Sequence, residues 1–229
     1  MTWKQVFTSS VGQKLTMGLS GIFLILFLIV HAGLNACIWA MDGGVMFNRA
    51  AHFMGDNVVP RVLEIGLFVF ILLHIIQGLM LEASNRSKRG TPYAVSYGNR
   101  GSKWYSRSMG LLGTIILLFL VVHMVHFWIP SRFTGVAETT LPNGVEVHDL
   151  FSLMMATFQE NIGVVILYVI GCISLAYHLA HGFQSAFRTM GVHNKRYVAM
   201  LKAIGYGFSV IVPLAFAMMP ISMYFGWVK

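Results

Sequence analysis

The stretch YVIGCISLAYHLAHGFQSAF, residues 168–187, contains no Asp, Glu, Lys or Arg. It is long enough to cross a bilayer as a helix, which takes about 20 residues. Two histidines, His178 and His181, nevertheless sit three residues apart inside it. Polar groups at membrane depth are costly, so they face the interior of a helix bundle and find partners there. The stretch therefore predicts a membrane-spanning helix and something for its histidines to hold.

The rest of the chain reads the same way. Of 229 residues, 56% are hydrophobic and only 10% charged, with mean hydropathy +0.70. A soluble domain of this length would carry far more surface charge. Apolar runs near 15–40, 60–81, 107–129, 161–186 and 202–226 are each long enough to span. The expected fold class is an all-α integral membrane protein, a bundle of five transmembrane helices forming one domain over 1–229. The polar opening MTWKQVFTSSVGQK precedes the first run without a small-residue cleavage pattern, so that run is expected to be retained. Gly43 and Gly44 announce a short helix between the first two spans. Pro142-Asn143-Gly144 is a turn signal between two short strand-like runs and predicts a small hairpin outside the membrane. Pro213 and Pro220 predict a kink in the last span. Cys37 and Cys172 fall in apolar runs without metal-ligand spacing, so they read as small buried hydrophobes.

Charge sets the orientation. Lys4, Lys14, Arg86, Lys88, Arg89, Arg100, Lys103, Arg107, Arg188, Lys195, Arg196 and Lys202 all fall on the side that carries the N-terminus. Arg49, Arg61, Arg132 and Lys229 fall on the other, and Glu82 is the one acid on the basic side. Positive charge marks the cytoplasmic face, which places the N-terminus inside and the C-terminus outside. The net charge of +8 is thus explained by topology and attraction to anionic membrane lipid, with no need of nucleic acid.

Nine histidines are present, and His52, His148 and His193 fall in loops. His31, His74, His123, His126, His178 and His181 fall within spans. At 1.5 Å per residue, His31 lies roughly 24 Å from the inner end of its span and His123 about 21 Å. His74 lies about 10 Å from its inner end and His178 roughly 12 Å. Antiparallel threading therefore sorts them into an outer pair, His31 with His123, and an inner pair, His74 with His178. Two facing imidazoles at each of two levels suit bis-histidine haem, whose iron takes neutral ring nitrogens on both axial positions. Zinc would want more ligands at one depth. A proton relay would want carboxylates among the histidines, but Glu64 and Glu160 sit at the outer ends of their spans.

The motifs SGIFLILFLIVHAGLN (20–35), FLVVHMVHFW (119–128) and YHLAHGFQSAFRTMG (177–191), with the weaker FILLHIIQG (70–78), carry a resemblance over nearly the whole chain. It resembles the cytochrome b membrane-anchor subunit of succinate:quinone oxidoreductases, the succinate dehydrogenases and fumarate reductases, in the single-chain, five-helix, di-haem form. The resemblance implies that His31 and His123 hold a distal haem b and His74 and His178 a proximal one. The family's His, three residues, Gly pattern with a second Gly nine further on is matched by His178, Gly182 and Gly191, which selects His178 over His181. His181 then lies next to the propionate end or packs on a neighbour. His123 is preferred over His126, which lies beside the interfacial aromatics Phe127 and Trp128. His126 is left to a propionate, a quinone or water.

The resemblance further implies a bacterial inner-membrane complex of the tricarboxylic acid cycle or of fumarate respiration. Its flavoprotein subunit carries FAD, and its iron–sulfur subunit passes electrons to this chain. The chain anchors both, moves electrons from the proximal to the distal haem, and reduces a quinone, menaquinone or ubiquinone. Gln13, Ser20, Arg107 and Arg188 lie where a proximal propionate would point. Glu64, Arg61 and Trp39 lie at the depth of a distal quinone. Some relatives carry a glutamate two residues before the fourth-helix ligand, where this chain has Ala176, so a proton route through that residue is absent. Two other readings stay open. One is the di-haem subunit of a nitrate reductase, hydrogenase or formate dehydrogenase; the other is a haem-free transporter or anchor.

Overall fold

The computed structural model describes residues 2, 7–89 and 103–228. Lys4, Arg100 and Lys229 of the charge argument lie outside them. The described chain is almost entirely helical. In order come α1 (Ser10–Asn35), α2 (Val45–Asp56), α3 (Val58–Arg89), the single turn α4 (Trp104–Arg107), α5 (Met109–His123), α6 (Leu150–Gln159), α7 (Ile162–Thr189) and α8 (Lys195–Tyr224). A 3₁₀ turn, Ala36–Ala40, prolongs α1, and π-helical turns Met124–Trp128 and Pro130–Thr134 prolong α5. Five of these helical stretches, based on α1, α3, α5, α7 and α8, are long and apolar enough to cross a membrane. The all-α membrane class is as expected.

Several boundaries differ from the apolar runs, and polar side chains account for the differences. Helix α3 continues to Arg89, well past residue 81, with Arg86 Nε 2.6 Å from Glu82 Oε1 one turn earlier. Helix α8 begins at Lys195, seven residues before the apolar run, because Asn194 caps it: its Oδ1 accepts from Arg196 N at 3.0 Å. Pro213 and Pro220 both lie inside α8, which is assigned as one helix through both. After α5 the ladder widens, with Gly135 N donating to Pro130 O across five residues at 3.0 Å. The helix after Gly44 is α2, where Gly44 has φ +83 and a Cβ would run into the Phe151 ring. The hairpin is present as β1 (Glu138–Thr140) paired antiparallel with β2 (Glu146–His148), Thr139 opposite Val147.

The chain divides into two compact units. The first comprises Met1–Phe27, Gly66–Ile115 and Ser174–Val210. In it the buried Ser174 hydroxyl donates to Leu112 O at 3.0 Å, tying α7 to α5. Gly205 lies so close under Phe183 that an added Cβ would stand 2.8 Å from its ring. Small residues let transmembrane backbones approach in this way.

The second unit comprises Leu28–Ile65, Ile116–Ile173 and Ile211–Lys229. Its core gathers Ile38, Phe47, Phe151, Met154, Phe158, Tyr168 and Met223. Asn48, 3% exposed, holds the polar connections together: its amide donates to Asp149 Oδ1 and its carbonyl oxygen accepts from Phe151 N, both at 2.9 Å. Gly171 admits Phe119 at a distance of 2.7 Å from where a Cβ would stand.

Candidate functional site

Each unit contains one histidine pair. In the first, the ring centres of His74 on α3 and His178 on α7 are 6.1 Å apart with planes at 66°. In the second, those of His31 on α1 and His123 on α5 are 5.9 Å apart with planes at 89°. Helical packing thus brings together the partners expected from span depth. The longer helices change the arithmetic of those depths, since His74 is fifteen residues from the end of α3 at Arg89.

Two imidazoles bound trans to one metal at about 2.0 Å per bond have ring centres about 6 Å apart. Both separations fit that requirement. The interplanar angle is free under trans ligation, because both planes contain the ligation axis. Edge-to-face packing covers the same range of separations. His123 Nδ1 and His178 Nδ1 are buried with no hydrogen-bond partner among the described residues. An unmet buried polar atom costs about 1–3 kcal/mol, and here one occurs in each pair. All four rings are half-buried.

The surroundings are shaped as well as apolar. A Cβ on Gly21 would stand 3.7 Å from His74 Cε1, and one on Gly113 4.0 Å from His178 Cε1. One turn beyond His178, Gly182 borders open space, with nothing within 4 Å of a Cβ there. A flat ligand needs such backbone-lined clearance. Phe216 lies 5.5 Å from His31, and Phe119 stacks on His123 at 5.7 Å. Among the described residues no group of three or more His, Cys, Asp or Glu side chains converges. Tetrahedral zinc takes four ligands, mostly side chains. A macrocycle that brings its own equatorial nitrogens needs only two. The residues present fit haem.

Searches of protein-family models, of curated proteins and of solved structures return no match to this chain.

The remaining expected residues divide. Ser20 Oγ lies 3.2 Å from His74 Nδ1 and from Met17 O. Gln13 is half-buried in the first turn of α1, whereas Arg107 and Arg188 are exposed at helix ends in the same unit. His181 is half-buried beside Gly182. His126, on the first π-helical turn, has its Nδ1 3.0 Å from Tyr168 Oη and its ring stacked on the phenol at 5.8 Å. Glu64 is engaged on both oxygens: Trp128 Nε1 donates at 2.6 Å, Arg132 Nε at 3.2 Å and Arg132 Nη2 at 3.0 Å, with Arg61 3.8 Å away. Trp39 donates to Ser222 Oγ at 3.1 Å.

Sequence reasoning passed over Tyr168 and Asn35. Tyr168, 6% exposed, touches the rings of Phe119, His123, His126, Phe127 and Phe158. A tyrosine within an apolar run gives no sign of that role. Asn35 Nδ2 lies 3.3 Å from His31 Nδ1 and donates to His31 O at 2.8 Å. Its signal was legible, because it follows His31 by four residues on the same helix face.

Proposed function

We propose that this chain is a di-haem cytochrome b that anchors a quinone-linked oxidoreductase in a bacterial inner membrane. It passes electrons from an iron–sulfur partner to a quinone, as the resemblance to succinate dehydrogenase and fumarate reductase anchors implies. The observation that carries the reading is the pair of histidine pairs. Four intramembrane imidazoles on four different helices meet two by two at 5.9 and 6.1 Å.

When bound, haem supplies one-electron iron chemistry. What the chain does is bind, orient and enclose. His31 and His123 would hold the distal group, His74 and His178 the proximal one. Apolar helices around the rings exclude water and keep the imidazoles neutral, the form that ligates. Phe119 and Phe216 fix the distal rings by packing. Glu64 with Arg132 and Trp128 forms a polar cluster at the outer depth expected for a quinone headgroup. Gln13, Arg107 and Arg188 serve the propionate end of the proximal group. The flavoprotein and iron–sulfur partners would dock on the basic N-terminal side.

The test is an absorption spectrum of the purified, dithionite-reduced protein with a pyridine haemochrome assay. A low-spin b-type α band and two haems per chain are expected; a colourless protein refutes the proposal. Co-purification identifies the complex, because a partner carrying molybdopterin or nickel would replace the succinate reading with the nitrate reductase, formate dehydrogenase or hydrogenase one.

A further inference from the structure

We infer that Ser20 is a positioning residue that fixes the tautomer of His74, leaving the Nε2 lone pair of that ring free to ligate. The inference rests on the haem reading and gives Ser20 a role other than propionate binding.

The argument is proton accounting. Ser20 is 1% exposed, so bulk solvent does not compete for its hydrogen bonds. A hydroxyl has one proton to give and two lone pairs to receive with. Ser20 Oγ has two polar neighbours, Met17 O and His74 Nδ1, each at 3.2 Å. A backbone carbonyl only accepts, so the proton goes to Met17 O, the preceding-turn bond that serine makes within helices. The second contact is then favourable only when His74 Nδ1 carries hydrogen and donates to Ser20. The opposite arrangement would set two acceptors against each other at Met17. A neutral imidazole protonated at Nδ1 is bare at Nε2. His178 across the pair has no such support, since its Nδ1 is without a partner among the described residues. The two ligands of one site are therefore held unequally, His74 through a second residue and His178 through packing alone.

The Nδ1–H···O bond also raises the basicity of the ring, which favours the oxidised metal. The experiment is a redox titration of the two b-type haems in the purified complex, comparing wild type, Ser20→Ala and Ser20→Thr. In Ser20→Ala the haem count stays at two and the midpoint of one haem moves to higher potential while the other is unchanged. Ser20→Thr, which restores the hydroxyl, returns the shifted haem toward the wild-type value. A shift to lower potential, equal shifts of both haems, or no shift overturns the assignment. If the wild-type protein shows no b-type absorption, the haem reading has failed and the same preparation decides Ser20 by a second route. Its ¹⁵N-histidine spectrum, assigned with His74→Gln, then shows His74 protonated at Nδ1 in wild type and losing that preference in Ser20→Ala. Identical spectra overturn the inference.

Discussion

His123 and His178 differ from their partners in how the Nδ1 atom is met. His31 has Asn35 beside it and His74 has Ser20, whereas the Nδ1 atoms of His123 and His178 are buried without a partner among the described residues. Replacing His31 or His123 by Ala is expected to remove one haem and spare the other, so the pyridine haemochrome count falls from two to one. His126→Ala is expected to leave the count at two, because that ring is bonded to Tyr168. Asp149, outside the spans, offers a separate test. Burial raises its carboxyl, but hydrogen bonds from Ser152 and Asn48 outweigh that and hold it below the usual range. Stability from a depressed carboxyl is present above its unfolded value near 3.9 and is lost as pH falls through the lower folded value. Asp149→Ala should therefore be less stable than wild type at pH 7, by a cap's typical loss of about 0.5–2 kcal/mol, or less at this half-buried site. The gap should close toward pH 3 in thermal denaturation.

At the scale of elements, the packing of α5 against α7 sets the distal pair. Gly171 on α7 leaves room for Phe119, which in turn stacks on His123. Gly171→Leu is expected to displace Phe119 at a cost of about 1–3 kcal/mol. In the reduced spectrum one haem should broaden or be lost while the other keeps its band. How far elements were legible depends on what fixed them. Apolar runs of twenty residues locate α1, α3, α5, α7 and α8, and Pro142-Asn143-Gly144 locates the hairpin. The extra turns of α3 and α8 were not legible as hydropathy, because Glu82–Arg86 pairing and the Asn194 cap hold polar residues in helix. The π-helical turns around His126 have no composition signal at all. The pairing of histidines was legible because alternating chain direction fixes which two can share a level. Of their supporting residues, Asn35 was legible on the same helix face as His31, whereas Tyr168, and Ser20 as a partner of His74, act through contacts between helices distant in sequence.

At the scale of the whole molecule, charge and hydropathy make a joint claim about orientation. Among the described residues, Lys14, Arg86, Lys88, Arg89, Lys103, Arg107, Arg188, Lys195, Arg196 and Lys202 belong by sequence to the basic side. A reporter fused at the C-terminus that is active only outside the cytoplasm, such as alkaline phosphatase, is expected to be active. One active only inside, such as green fluorescent protein, is expected to be dark. The reverse pattern would invert the side on which soluble partners dock.

Each compact unit is assembled from three separated stretches of chain, and this gives the two sites different birthdays during synthesis. His31 and His123 can meet once the third long helix has left the ribosome. His74 must wait until the fourth has followed, because His178 lies on it. A nascent chain halted after residue 160 would thus already own one complete pair of histidines and only half of the other.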